Sequence, residues 1–130
     1  LNLLTMNALA AADGLLVPLQ CEFFALEGLS QLQRTVELVR GSLNPTLSIQ
    51  GVVLTMSDKR NRLSEQVEAD VRAHMGDTVY RTVIPRNVRL SEAPSHGLPA
   101  IVYDIKAPGS QAYIQLASEM IQRERALKAA

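Results

Sequence analysis

The chain has 130 residues, of which 47% are hydrophobic and 20% are charged, with basic and acidic side chains in equal number at 13 each. This composition is typical of one globular domain and excludes a disordered tail, because enough apolar surface is present to form a core. The neutral net charge excludes a uniformly basic protein, so only a local cluster of basic side chains could attract phosphate.

The chain has a single cysteine, Cys21, which excludes an internal disulfide and fits a reducing compartment. No apolar stretch approaches the roughly 20 residues that a membrane-spanning helix needs. The first residues also lack the basic start and the cleavage site of a signal peptide. We therefore expect a cytoplasmic protein, with Cys21 as a small core residue.

The first half of the chain alternates between helical and extended patterns. Residues 1–12 are typical of the end of a helix, and residues 15–19 form an unbroken apolar run, LLVPL. Such a run predicts a strand covered on both faces, as in a parallel sheet. Pro18 cannot donate to a strand ladder, so it predicts a sheet edge or a strand end there. Apolar residues three and four apart over 24–43 then predict a helix.

The second half continues this alternation. Residues 49–56 predict a buried strand, residues 63–75 a helix, and residues 79–84 a third strand that ends at Pro85. Alternation of this kind predicts an α/β fold with a parallel sheet. Because three strands make a narrow sheet, we expect an unpaired apolar edge through which the isolated chain self-associates.

The remaining segments are predicted from Pro, Gly and polar residues, which mark turns and the ends of helices and strands. Residues 86–97 are expected to form a loop with at most one helical turn, and Ala100–Tyr103 a short edge strand. Ser110 is the expected N-cap of the last helix. The charged tail, residues 123–130, is expected to fray.

The start of the chain suggests a piece of a longer domain. The residue at the first position is Leu1, and an apolar helical pattern is already present at Leu3, Leu4 and Leu9, with no evident capping residue. We expect the chain to be a fragment of a longer domain. A processed or trimmed N-terminus is the alternative.

Several catalytic signatures are absent from the sequence. It has no phosphate-binding loop of the form GxxxxGK[ST] and no CxxC or HExxH spacing. Ser95 and His96 are adjacent, but nothing supplies a third residue to orient the imidazole, which favours a loop serine beside an exposed histidine. We therefore assign no catalytic and no metal-binding residue to this chain.

Three segments carry a family resemblance: PLQCEFFALEGLSQL at 18–32, GVVLTMSDKRNRLSEQV at 51–67 and TVIPRNVRLSEAPSHGLPAIVYD at 82–104. Together they closely resemble the ParA/Soj family of partition ATPases, which belong with MinD among the deviant Walker A proteins. In that family a stretch like LLTMNAL follows the Walker B segment. The resemblance therefore implies that residues 1–130 are the C-terminal portion of a single doubly wound, mostly parallel P-loop NTPase domain, without its phosphate-loop half.

The resemblance also implies a function for the parent protein in chromosome or plasmid partition in bacteria. Such a parent binds ATP and magnesium, forms an ATP-dependent homodimer and binds double-stranded DNA of the nucleoid non-specifically. A centromere-binding partner of the ParB type then stimulates hydrolysis. Since the Walker motifs are missing here, we expect this chain alone to be inactive. A non-catalytic split or degenerate module that binds DNA or a partner is the alternative.

A membrane-acting MinD-like protein is a further rival. Membrane attachment of that kind needs a C-terminal amphipathic helix, and the tail QRERALKAA has too little apolar surface to supply one. We therefore expect no membrane partner.

A nucleotide site is predicted at the ends of two strands. Thr55 and Met56 end one buried strand, and Pro85, Arg86 and Asn87 follow the next, so both segments should line one crevice at the carboxyl edge of the sheet. The thioether and the proline ring could sandwich a purine, and the asparagine amide could bind a base edge. The resemblance implies the same. A core methionine and a turn asparagine are the alternatives.

A DNA-binding surface is predicted from basic residues in two loops: Lys59, Arg60, Arg62, Arg81, Arg86 and Arg89. Arginine engages phosphate through paired hydrogen bonds, and the lack of interleaved aromatic residues favours contact with the DNA backbone. The resemblance implies that Arg60 and Arg89 contact DNA, with Lys59 and Arg86 beside them. A solvated charged face is the alternative.

Two acidic residues, Glu22 and Glu27, flank the pair Phe23-Phe24. The resemblance places this segment near the dimer face and the nucleotide switch. Acidic residues favoured by the dipole at a helix start are the alternative.

Overall fold

The computed structural model describes residues 2–129 as an α/β unit built on a parallel sheet in the order β1-β2-β3. The strands are β1 (Leu15–Gln20), β2 (Ile49–Ser57) and β3 (Val79–Pro85). The helices are α1 (Leu3–Ala11), α2 (Ala25–Arg40), α3 (Arg62–Met75), α4 (Val88–Glu92), α5 (Ala100–Tyr103) and α6 (Pro108–Ala129), with 3₁₀ turns at Gly76–Thr78 and Ala93–His96. The predicted fold class is confirmed.

Helices cover both faces of the central strand β2. Val52 and Leu54 pack on one face against α2 and α3, and Val53 packs on the other face against Leu116 of α6. Successive side chains of a strand point to opposite faces, so an unbroken apolar run is what this position requires. The prediction of a doubly covered strand is confirmed for β2.

The same prediction is wrong for β1 in the part of the chain that the structure describes. Its burial alternates, with Leu15, Val17 and Leu19 half-buried and the residues between them exposed. The apolar stripe of α6 packs on β2 and β3 and does not extend over β1. Within residues 2–129, β1 pairs with β2 and lies at the edge of the sheet, which is the position that Pro18 predicts.

Helix α1 begins with a cap that the sequence analysis did not recognise. The Asn2 side chain accepts a hydrogen bond from the Thr5 backbone N–H at 2.8 Å. Leu3 and Leu4 are exposed, while Leu9 is buried against α2. The expected absence of a capping residue is therefore wrong. The predictions about the start of the chain and the end of its tail fall partly on Leu1 and Ala130. These two residues lie outside the described residues.

The segment after β3 is helical where a loop and an edge strand were expected. Residues 86–97 contain α4 and a 3₁₀ turn, and Ala100–Tyr103 forms one turn of helix. Its backbone hydrogen bonds are local, with the Asp104 N–H donating to the Ala100 carbonyl at 2.9 Å. The strand prediction fails because short apolar runs do not distinguish a strand from a helical turn.

The last helix begins earlier than expected. It starts at Pro108, whose fixed φ suits the first turn of a helix, and Ser110 lies inside the helix rather than capping it. The Ser110 hydroxyl is buried and donates to the Ala100 carbonyl at 3.1 Å, which joins α6 to α5. Helix α6 continues to Ala129, and the fraying of the tail stays a prediction. No helix within residues 2–129 is long and apolar enough to span a bilayer.

The outer edge of β3 is covered by side chains, so the open edge expected on one side of the sheet does not lie on this side. The Glu119 carboxylate of α6 accepts hydrogen bonds from the backbone N–H groups of Arg81 and Thr82 at 2.8 and 2.9 Å. Arg123 donates to the Val79 carbonyl at 2.9 Å. Within the described residues, the sheet edge left without such covering is that of β1.

Candidate functional site

The carboxyl ends of all three strands meet at one edge of the sheet. Ser57 pairs with Pro85, and the Arg86 N–H donates to the Ser57 carbonyl at 2.9 Å. On the other side, the Cys21 N–H donates to the Thr55 carbonyl at 3.0 Å. The two predicted nucleotide segments are therefore adjacent, at the edge where parallel α/β sheets bind ligands.

Met56 has an unusual backbone conformation for a residue with a side chain. Its φ is 54°, in the left-handed region, and the register between β2 and β3 shifts between Leu54 and Ser57. Such a conformation costs on the order of 1–3 kcal/mol and is found preferentially at ligand sites. Met56 is half-buried and belongs to none of the buried core clusters, which weighs against the core-packing alternative. Sequence reasoning could not find this strain, since no Gly or Asn marks it.

Asn87 precedes α4 without capping it by its side chain. Its Oδ1 atom instead accepts a hydrogen bond from the Gly109 N–H at 3.4 Å, which ties the start of α4 to the start of α6. The turn-stabilising role considered above is therefore not the one the structure shows. With Oδ1 in use, the NH₂ group of Asn87 is the part of the amide suited to bind a ligand.

The residues at this edge fit the base of a nucleotide. Met56 and Pro85 supply half-buried apolar surface, Asn87 supplies an amide donor, and Thr55 lies beside them at the end of β2. Adenine has the flat faces and the acceptor nitrogens that such a set can bind. Residues 2–129 bring together no group of three or more His, Cys, Asp or Glu side chains that could hold a metal ion.

A cleft of about 660 Å³ lies beside this edge and contains basic side chains. Its basic lining residues are Lys59 and Arg60 from the loop after β2 and Arg86, which follows β3. Two acidic residues, Asp58 and Glu68, also line it, so the cations exceed the carboxylates by one. The structure thus brings together three of the predicted DNA-contacting residues. Helix α6, which also lines the cleft, was not part of that prediction, because nothing in the local sequence places it beside the loop.

Asp58 organises the loop that carries Arg60. Its Oδ1 atom accepts hydrogen bonds from the Arg60 backbone N–H at 3.0 Å and from Arg60 Nε at 3.3 Å. These two bonds lower the pKa of the Asp58 carboxyl, and the bond from the backbone is the main cause. The Arg60 side chain is nevertheless 90% exposed, so it remains accessible to a ligand.

Arg81 does not belong to the basic cluster, which corrects its inclusion in the prediction. It lies near the amino end of β3, whereas Arg86 follows the carboxyl end of the same strand. Arg81 lines a different cleft of about 640 Å³ together with Arg72 and Arg123. Arg62 is the first residue of α3 and is exposed.

Arg89 lies on α4 and is absent from the lining of the cleft that holds Lys59, Arg60 and Arg86. Its guanidinium contacts Glu92 at 3.2 Å and Asp104 at 3.4 Å, and its side chain is 51% exposed. The negative charge of Glu92 is the main cause that raises the pKa of Arg89. The i,i+3 spacing of Arg89 and Glu92 could have indicated this pair in the sequence. The contact with Asp104 could not have been read from spacing.

The segment between β1 and α2 lies at the same edge of the sheet. Phe23 and Phe24 are 72% and 69% exposed, with ring centroids 5.0 Å apart at 85°. Glu22 and Glu27 are exposed on either side of them. Cys21 is buried as predicted, and burial is the main cause that raises the pKa of its thiol. The predicted dimer- or switch-proximal residues are thus accessible.

Comparison with curated proteins gives close relatives over nearly the whole chain. A family profile described as an AAA domain matches residues 1–49. The chromosome partitioning protein ParA of Caulobacter vibrioides is 71% identical, over 96% of this chain and 47% of the relative. The sporulation initiation inhibitor protein Soj of Bacillus subtilis is 57% identical over 92% and 47%, and the chromosome-partitioning ATPase Soj of Thermus thermophilus is 52% identical over 95% and 49%. The chain thus spans about half the length of these relatives.

Solved structures of one enzyme share the fold. Cobyrinic acid a,c-diamide synthase from Mycobacterium smegmatis with bound ADP and magnesium aligns with a TM-score of 0.71 and 31% identity, over 95% of this chain and 44% of that one. Its complex with an ATP analogue and magnesium gives 0.69 and 32%, over 94% and 43%. The identity of 52% to 71% to ParA and Soj proteins, over 92% to 96% of this chain, shows that the chain belongs to the ParA/Soj family.

Proposed function

We propose that this chain is the base-binding and DNA-contacting half of a partition ATPase. The hydrogen bond from the Arg86 N–H to the Ser57 carbonyl is the observation that carries the proposal. It joins the loop that contains Lys59 and Arg60 to the segment that contains Asn87, so that a nucleotide surface and a basic cleft share one edge. The names of the relatives, chromosome-partitioning ATPases among them, support the same function.

In this proposal the base of ATP packs against Met56 and Pro85, and Asn87 donates to a ring nitrogen. The bound ADP and ATP analogue in the structural relatives support a nucleotide as the ligand. When ATP and magnesium are bound, they supply the phosphoryl group and the charge neutralisation for transfer to water. This chain contributes the base-binding surface. Because its sequence has no phosphate-binding loop, we propose that it does not hydrolyse ATP alone.

The DNA part of the proposal rests on local rather than total charge. Lys59, Arg60 and Arg86 line one cleft in a protein of zero net charge, and Arg89 lies on the helix that follows Arg86. Phosphate contacts of this kind hold the duplex without reading its sequence. The parent protein would then coat the bacterial nucleoid from the cytoplasm.

The dimer and the partner complete the proposal. Glu22, Glu27 and the exposed aromatic pair, Phe23 and Phe24, lie at the nucleotide edge, where a second copy could reach the bound ATP. An ATP-dependent homodimer would present two basic clefts to one duplex. A ParB-type centromere-binding protein would stimulate hydrolysis and release the DNA.

The direct test uses the full-length parent protein and DNA fragments of unrelated sequence. We expect binding with ATP, little binding with ADP or without nucleotide, and similar affinity for every fragment. The 130-residue chain should show no ATP hydrolysis above background. DNA affinity that is the same with ATP, with ADP and without nucleotide would contradict the proposed partition ATPase. Magnesium-dependent ATP hydrolysis by the 130-residue chain alone would contradict the proposal that this half does not hydrolyse ATP.

A further inference from the structure

Arg89 is held by two carboxylates from different elements. Its Nη1 lies 3.2 Å from Glu92 Oε2, on the same helix, and its Nε lies 3.4 Å from Asp104 Oδ2, which follows α5. One neighbour along a helix would restrict an arginine only weakly, since exposed pairs of that kind contribute little. Contacts from two directions restrict the guanidinium in both position and plane.

Each of these carboxylates is fixed by a further hydrogen bond. The Tyr103 O–H donates to Glu92 Oε2 at 2.6 Å, and the Lys106 backbone N–H donates to Asp104 Oδ1 at 3.2 Å. The hydrogen bond between Tyr103 and Glu92 is also the main cause that lowers the pKa of Glu92 and raises the pKa of Tyr103.

The Tyr103 ring is held in place by the imidazole of His96. The ring is half-buried and stacks on His96, with centroids 4.9 Å apart and planes at 21°. The hydroxyl therefore comes from a fixed ring, and it limits the rotation of the Glu92 carboxylate that contacts Arg89.

The contacts leave part of the Arg89 guanidinium for a ligand. Nε and Nη1 contact the carboxylates, and the Tyr103 hydroxyl also lies beside the guanidinium, so Tyr103 restrains Arg89 directly as well as through Glu92. The side chain is still 51% exposed, which leaves Nη2 as the group suited to donate to phosphate. A side chain that is already fixed loses less conformational entropy when it binds. We infer that Tyr103, acting through Glu92, is a positioning residue that orients Arg89 for contact with a DNA phosphate. The inference rests on the proposed function.

The opposite effect is also physically possible, which makes the inference testable. Two carboxylates beside one arginine could compete with phosphate and keep Arg89 from DNA. Tyr103→Phe separates the two effects, because it removes one hydroxyl and leaves every charge and the stacked ring in place. Tyr113→Phe is the matched control, since Tyr113 is a half-exposed tyrosine of α6 that makes no hydrogen bond within the described residues.

The experiment measures DNA binding of the full-length parent protein with ATP over a salt series. We expect Tyr103→Phe to weaken binding roughly twofold to tenfold, the effect of one hydrogen bond, with an unchanged slope of log affinity against log salt. Arg89→Ala should lower that slope by about 0.9, because a phosphate contact is lost. Tyr103→Phe should add nothing in the Arg89→Ala background, and Tyr113→Phe should match wild type.

Several results would overturn the inference. Tighter binding by Tyr103→Phe would mean that the carboxylates withhold Arg89, and wild-type binding would mean that the hydroxyl does not position it. A further loss in the Arg89→Ala background would show a general structural effect. If Arg89→Ala itself binds like wild type, the inference falls, while Arg60→Ala still tests the proposed function. Should Tyr103→Phe fail to fold, Glu92→Asp keeps the charge but withdraws the carboxylate, and the same loss at unchanged slope is expected.

Discussion

The Glu119 carboxylate accepts two hydrogen bonds from Thr82, one from the backbone N–H at 2.9 Å and one from the hydroxyl at 2.8 Å. It also accepts the Arg81 N–H at 2.8 Å. The register between β2 and β3 shifts between Val52 and Leu54, which leaves N–H groups of β3 without strand partners. A side chain of α6 therefore completes the hydrogen bonding of an edge strand.

We predict that Glu119→Gln destabilises the protein at pH 7 by about 1–3 kcal/mol, because bonds to a charged acceptor are replaced by weaker ones. Burial alone would raise the pKa of Glu119, but hydrogen bonds from Thr82 and Arg81 outweigh it and lower the pKa below the usual 4.5. A lowered folded-state pKa contributes stability above the unfolded value, and this stability is lost as pH falls through the folded value.

Denaturant unfolding of the full-length parent at pH 7 and at successively lower pH measures this difference. The gap between wild type and Glu119→Gln should narrow below about pH 4.5. Glu124→Gln, an exposed position on the same helix, should match wild type throughout. A gap that is constant with pH would mean that the charge of Glu119 is not what matters.

We predict that Met56→Gly stabilises the fold and weakens ATP binding. Glycine adopts a φ of 54° without steric cost, so it should release strain of on the order of 1–3 kcal/mol, less about 0.5–1 kcal/mol for its extra chain entropy. Nucleotide titration and denaturant unfolding measure the two effects. Met56→Leu keeps the strain and the apolar surface, and should change both less. A Met56→Gly protein that is less stable than wild type would argue against strain at this site.

We predict that the 130-residue chain alone self-associates through β1. Leu16 is 41% exposed, because α6 packs on β2 and β3 and does not reach over β1. The edge of β1 is open within the described residues. Leu16→Lys should shift the chain toward monomer, because a charged side chain opposes pairing at a strand edge. Light scattering at several concentrations measures this. Leu127→Lys, at an exposed leucine of α6, should not change the association. Equal effects of both variants would point to net charge instead.

The sequence was informative where a pattern was long. The strands and the helices α2, α3 and α6 followed from apolar runs and spacings of three and four residues. Short elements were missed, because α4 and α5 are too short to show a period. Cys21 was assigned correctly to the core from its residue type.

The candidate site was predictable in position more than in detail. Adjacency of Thr55–Met56 and Pro85–Asn87 follows from the rule that parallel strands end at one edge. The conformation of Met56 and the contacts of Tyr103 and Glu119 depend on tertiary neighbours, up to 38 residues away for Glu119, that no local pattern specifies. Arg81 was wrongly included in the basic cluster for a related reason. It is close to Arg86 in sequence, but the two residues lie at opposite ends of β3.

The most direct test of the account compares Arg60→Ala, Arg89→Ala and Arg81→Ala in the full-length parent, with DNA affinity measured over a salt series and nucleotide affinity as a second readout. Arg81 is the matched control, since it lines a different cleft near the other end of β3. We predict weaker binding to every DNA sequence for Arg60→Ala and Arg89→Ala, each with a slope lowered by about 0.9, and unchanged ATP affinity. Arg81→Ala should behave like wild type. Unchanged affinity and slope for Arg60→Ala and Arg89→Ala would contradict the account and leave the basic residues as a solvated face.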